Sequence, residues 1–109
     1  MNEKRIQQLL EFIDEQPDDP FNSYALAMEY RDEQPAQALH YLAKLLEQHP
    51  AYLPTYYHAA ALYAETGHRD RAAEVYQQGI ELARTQKNEK TLQELNRAYR
   101  MFQDDEDDW

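Results

Sequence analysis

The chain has 109 residues, 42% of them apolar, and no cysteine, which suits one packed domain and excludes a second domain, a disulfide framework and a thiolate metal or redox centre. Its formal charge of −10 is gathered at the ends: residues 1–20 hold six acids against Lys4 and Arg5, residues 104–108 hold five acids and no base, and the remainder nets −1. Clustered Lys and Arg, which nucleic acids and acidic membrane surfaces require, are therefore missing, and neither is expected as a partner.

In chain order, Met1-Asn2-Glu3-Lys4-Arg5 runs into an amphipathic pattern in place of an apolar signal core, and no apolar run approaches the roughly 18 residues of a membrane span. A cytoplasmic protein is expected. Residues 2–16 form a first helix carrying Leu9, Phe12 and Ile13. Residues 20–49 hold two helices, Pro20–Glu33 with Leu26, Ala27 and Tyr30 on one stripe, and Pro35–Gln48 with Ala38, Leu42, Leu45 and Leu46. Residues 53–86 copy that pair, with Tyr56, Ala59, Ala60 and Tyr63, then Ala72, Tyr76, Ile80 and Leu82. After the Lys87-Asn88 break, residues 89–103 form a capping helix through Leu92, Leu95, Tyr99 and Phe102. Pro20, Pro35 and Pro54 suit first-turn positions, and Gly67 suits a left-handed helix stop. The fold class is all-α: six helices in antiparallel hairpins, packed as one domain over residues 1–103. Residues 104–109 are expected to be an acidic flexible tail, because acids oppose the negative end of the helix dipole.

The stretch YYHAAALYAETGHRDRAAEVY, residues 56–76, is dense in tyrosine and histidine, but its spacing belongs to a repeat. Leu9 recurs as Leu42 and as Tyr76, at steps of 33 and 34; Pro17 recurs as Pro50, Tyr30 as Tyr63, and Ala38 as Ala72. Residues 2–16 are then the second half of a unit, with Leu9, Phe12 and Ile13 in the register of Leu42, Leu45 and Leu46. Tyr56-x-x-Ala59-Ala60-x-x-Tyr63, Gly67, Ala72-x-x-x-Tyr76 and Gly79 resemble the tetratricopeptide repeat, a unit of about 34 residues. Leu26-Ala27-x-x-Tyr30, Ala38-x-x-x-Leu42 and Pro50 resemble it again. Three positions depart: Ala59 for a Leu, Arg84 for the closing proline, and Ser23 for the large aromatic, whose space Phe21 or Tyr24 is expected to take. The resemblance implies a right-handed α-α superhelix that binds peptides or proteins in a concave groove, with no cofactor and no catalysis.

Chemistry is otherwise sparse. His40, His49, His58 and His68 lie 9, 9 and 10 residues apart, with no i, i+4 pair, so no metal site is expected. Ser23 is the only serine and no nucleophile constellation is legible, so the chain is not expected to be an enzyme. Once packing residues are set aside, Phe21, Tyr24, Met28 and Arg31 remain as a second line on the first helix of one repeat. Tyr57 and Ala61, with His58 alongside, make the matching line in the next. Together they read as an aromatic, partner-binding trough, although Tyr24 and Met28 also suit a wide core stripe. Some family members grip a carboxylate-ended peptide through Lys, Asn and Arg on their first helices; here those faces carry Tyr24, Met28, Tyr57 and Ala61, so that clamp is absent. The expectation is a monomeric interaction module for an unidentified protein or peptide. A self-associating structural module is the alternative, and a small-ligand binder or enzyme using Tyr24, Tyr57 and His58 is a more distant one. Trp109 has two readings, a solvated tail or an anchor in such a trough with its acids meeting Arg97, Arg100 or Lys90. Four lysines against seven arginines and 21 acids also fit a protein of a high-salt host.

Overall fold

A computed structural model describes residues 1–107, with side chains through Asp105. Six α-helices make up the described residues, with no strand: α1 Glu3–Glu15, α2 Pro20–Tyr30, α3 Pro35–Gln48, α4 Pro54–Glu65, α5 Arg69–Thr85 and α6 Glu89–Asp107. Their starts follow from local chemistry. The Asn2 side chain accepts the Arg5 N–H at 3.0 Å, Asp19 accepts that of Phe21 at 3.0 Å ahead of Pro20, and Asn88 accepts that of Thr91 at 3.1 Å. Each satisfies a donor that the first helical turn leaves without an intrahelical partner.

The repeat is written into the backbone as well as the side chains. The Gln16 N–H bonds to the Phe12 carbonyl and the His49 N–H to the Leu45 carbonyl, both at 2.8 Å; Asp19 to Gln16 and Tyr52 to His49 repeat the next turn at 3.1 and 3.0 Å. The lengthening of the period from 33 to 34 has a single cause. The Tyr30 carbonyl accepts from Gln34 at 2.7 Å, whereas the equivalent Tyr63 carbonyl accepts from His68 at 2.8 Å, one residue further on. The added residue is Gly67, at φ +87°, where a side chain would be strained.

Contacts group the chain into two compact units, residues 1–55 and 56–109, with the division inside the first turn of α4. In the first, α1 packs on α2 and α2 on α3. Ile6, Leu9, Ala25 and Leu26 form a core flanked by Leu10, Ile13, Tyr30 and Tyr41, and the Tyr30 and Tyr41 rings stack with centroids 6.1 Å apart. In the second, α5 packs on α6, and Gly79 admits both flanking helices: a Cβ there would stand 2.7 Å from Tyr56 Cβ and 3.2 Å from Leu95 Cδ1. Leu9, Leu42 and Tyr76 are all buried, as are Ala27 and Ala60, and Ala38 and Ala72.

Four expectations change. Phe12 is 48% exposed where its equivalent Leu45 is 2% exposed, because the face that α2 covers on α3 is not covered on α1 by a preceding first helix. Phe21 does not fill the space of the missing aromatic at Ser23, since it is exposed; Leu45, at the position of Gly79, lines the opening beside Ser23 from the opposite helix. The first helix of the earlier repeat stops at Tyr30, not Glu33. The last helix runs through Asp107, beyond the expected stop at Gln103. No Gly or Pro follows Phe102, and an exposed Asp costs an established helix only a few tenths of a kcal/mol, so Asp104 to Asp107 continue it. Asp108 and Trp109, and with them the anchor reading of Trp109, lie outside the described residues.

Candidate interaction groove

The second unit carries an open groove of ≈ 350 Å³ between α4 and α6. On α4 its wall is Tyr57, Ala61 and Glu65, one residue per turn at i, i+4 spacing. On α6 the wall is Ala98, Met101 and Asp105, at i, i+3 and i+7 along one helical face. Ala61, Ala64 and Ala98 keep it open, since a methyl group fills little of the space a larger side chain would take. Two large apolar side chains stand at its edge uncovered: Tyr57 is 39% and Met101 61% exposed.

Its floor is rigid and aromatic. The Tyr76 ring lies 5.6 Å from that of Tyr99 and 5.5 Å from that of Phe102, and the Tyr99 hydroxyl accepts a hydrogen bond from Gln77 Nε2 at 2.6 Å. Burial pushes the Tyr76 phenol above its ordinary value, and the nearby Tyr57 and Glu65 add to the shift. The Arg69 guanidinium sits 4.3 Å over the Phe102 ring and donates to the Phe102 carbonyl at 3.1 Å, which ties the start of α5 to the last turns of α6.

The expected site residues divide between the two units. Tyr57 and Ala61 line the groove. His58, beside them, is half-buried, with its ring edge-on to Tyr57 at 5.3 Å, and is not among the lining residues. On α2, Phe21 is exposed while Tyr24, Met28 and Arg31 are half-buried, and the Tyr24 ring meets Tyr52 edge-on at 5.9 Å. Tyr24 thus serves packing in part, against Tyr52. A second opening, of ≈ 540 Å³ in the first unit, is lined by Ser23, Leu45, Ile13 and Pro17 with Lys44 and His49 at its rim. It is larger than the groove, but it is the hollow left by Ser23, and none of the exposed large apolar side chains lines it.

The tetratricopeptide repeat family model matches residues 29–95. The chain belongs to the tetratricopeptide repeat family. A crystal structure of a tetratricopeptide repeat domain protein from Salinibacter ruber matches this tetratricopeptide repeat chain with 40% identity and a TM-score of 0.74, covering 78% of it and 96% of the Salinibacter chain. A solution structure of a tetratricopeptide repeat domain protein from the same organism matches with 40% identity and a TM-score of 0.73, covering 79% and 88%. No curated protein matches. The family suggests an interaction or scaffold role. Among the described residues, no helix is long and apolar enough to cross a membrane, and no three His, Cys, Asp or Glu side chains are placed to hold a metal ion.

Met101, Ala98 and Asp105 escape the sequence reading because α6 reads there as a cap, valued only for its packing stripe. The signal was present: Ala98, Met101 and Asp105 form a second line beside Leu95, Tyr99 and Phe102, the same pattern that singles out Tyr24 and Met28 on α2.

Proposed function

We propose that this protein is a non-catalytic interaction module that holds a segment of a partner protein against the groove of its second unit, with the Phe21, Tyr24, Met28 and Arg31 face of α2 as a further contact surface. The observation that carries this reading is the pairing of Tyr57 and Met101, both exposed, over a buried Tyr76 floor. Large side chains left in water beside a rigid aromatic floor favour an apolar partner group, and methionine adapts its shape to what it meets. The α2 face offers Phe21 to solvent and keeps Arg31 as its cation. A monomer in the cytoplasm, recruiting the partner without cofactor or metal, completes the reading; the excess of acids is in keeping with a high-salt host.

Affinity capture with wild type and with Tyr57→Ala/Met101→Ala tests it. Both side chains are exposed, so the double variant keeps its fold by circular dichroism while losing partners that the wild type retains. Identical partner sets at equal recovery would contradict the reading. Tyr24→Ala, run alongside, reports separately on the α2 face.

A further inference from the structure

We propose that the groove of the second unit selects a cationic segment, in which a Lys or Arg side chain meets Glu65 and Asp105 while an adjoining apolar side chain lies over Tyr76 between Tyr57 and Met101. This rests on the groove being the binding surface, and it adds the chemistry of the occupant.

Helix α6 is longer than its sequence suggests. Because the helix does not stop at Gln103, its acidic run is not shed as a tail, and Asp105 stands one turn beyond Met101 on the same wall. Glu65 stands in the same relation to Ala61 on α4, of which it is the last residue. The Arg69 contacts fix where these two carboxylates lie relative to one another. Arg69 opens α5 just past the end of α4, and its guanidinium reaches the ring and carbonyl of Phe102, so the C-terminal ends of α4 and α6 are neighbours. Glu65 and Asp105 therefore share one mouth of the groove, where the C-terminal end of α4 adds about half a negative charge.

Arg69 supplies one positive charge against the two carboxylates Glu65 and Asp105, so the mouth stays net negative. Along α4, Tyr57 stands two turns before Glu65, a distance of about 12 Å at 1.5 Å per residue. A matching partner places its cation about four residues of extended chain from its apolar anchor, at roughly 3.3 Å per residue. A second copy of this chain is a poor occupant, since each copy carries −10. The same mouth repels the acid-ended peptides that a cationic clamp would favour.

The test uses three synthetic dodecapeptides that share one leucine and tyrosine framework and differ only in carrying Lys, Gln or Glu at the remaining positions. Each is titrated into the ¹⁵N-labelled full chain. The Lys peptide moves the amides of Tyr57, Ala61, Ala98 and Met101, and binds more tightly than the Gln peptide, with the Glu peptide weakest. Glu65→Gln/Asp105→Asn weakens the Lys peptide about fivefold, the scale of two solvent-exposed ion pairs, and added salt does the same. Glu11→Gln/Asp14→Asn removes the same charge from α1 and leaves that affinity within twofold. Equal weakening by both double variants would mean attraction to net charge alone and overturns the proposal. Equal binding of the Lys and Gln peptides at the groove amides also overturns it while leaving the groove as a peptide site. If no peptide moves those amides, the underlying reading of the groove falls with it.

Discussion

Gly79→Ala sets two known effects against each other at a site where the geometry decides the sign. Replacing glycine by alanine in the middle of α5 ordinarily gains about 1 kcal/mol of helix propensity. Here the added methyl would lie 2.7 Å from Tyr56 Cβ, 3.2 Å from Tyr56 Cγ and 3.2 Å from Leu95 Cδ1. Leu95 Cδ1 is the end of a flexible side chain and can rotate, but Tyr56 Cβ is fixed to the α4 backbone, so relief requires the helices to move apart. Overpacking of this kind costs about 1–3 kcal/mol in a filled core, and a contact more than 1 Å too short belongs at or above the top of that range. The net expectation is a loss of about 1–2 kcal/mol, or a fall in Tm of roughly 5–15 °C for a chain of this size. Urea unfolding followed by circular dichroism reads it directly, and Gly79→Ala combined with Tyr56→Gly serves as a control in which the two mutations should be strongly non-additive. An unchanged or raised midpoint for Gly79→Ala alone would refute the close approach of α4 and α5 on which the second unit is built.

Three further outcomes are expected. Ser23→Tyr places a ring in the hollow beside Leu45 and should raise stability by about 1 kcal/mol, as cavity filling does; a lower thermal midpoint would contradict an open hollow at that place. Thr55→Val should be neutral or stabilising by up to about 1 kcal/mol in urea unfolding, because the buried Thr55 hydroxyl finds no hydrogen-bond partner among the described residues and a methyl of the same shape removes the penalty. Burial raises the phenols of Tyr24, Tyr41, Tyr52, Tyr56 and Tyr76. The unfolded chain therefore releases these protons first, so the stability they contribute is intact below about pH 10 and is lost as pH rises beyond it, which unfolding curves between pH 8 and 11.5 will register as a constant value followed by a decline.

The sequence carries the fold more fully than the site, for physical reasons visible at single residues. Packing positions recur along the chain, so Leu9, Leu42 and Tyr76 are all buried, at steps of 33 and 34 residues. Gly67 accounts for the one-residue change in that period through a single left-handed turn. Size compensation is harder to read from a pattern taken one position at a time: Ser23 with Leu45, and Tyr56 with Gly79, exchange bulk between the two helices of a repeat. A reading confined to Ser23 looks for a substitute on its own helix and names Phe21 or Tyr24, of which Phe21 is exposed. Dipole repulsion, worth under about 1 kcal/mol and screened by salt, does not outweigh the continuity of the backbone hydrogen bonds, so the acids do not end α6 at Gln103. Asp105 acquires a position on the groove wall only because α6 continues past Gln103.

Site-specific photo-crosslinking in cells tests the central claim most directly, with benzoylphenylalanine at Met101 in one preparation and at Phe12, also exposed but far from the groove residues in sequence and on the other unit, in a second. The account predicts discrete cross-linked partner bands from Met101 that vanish when Tyr57→Ala is added, and none of those bands from Phe12. The same bands from both positions, or bands from Met101 that survive Tyr57→Ala unchanged, would contradict it.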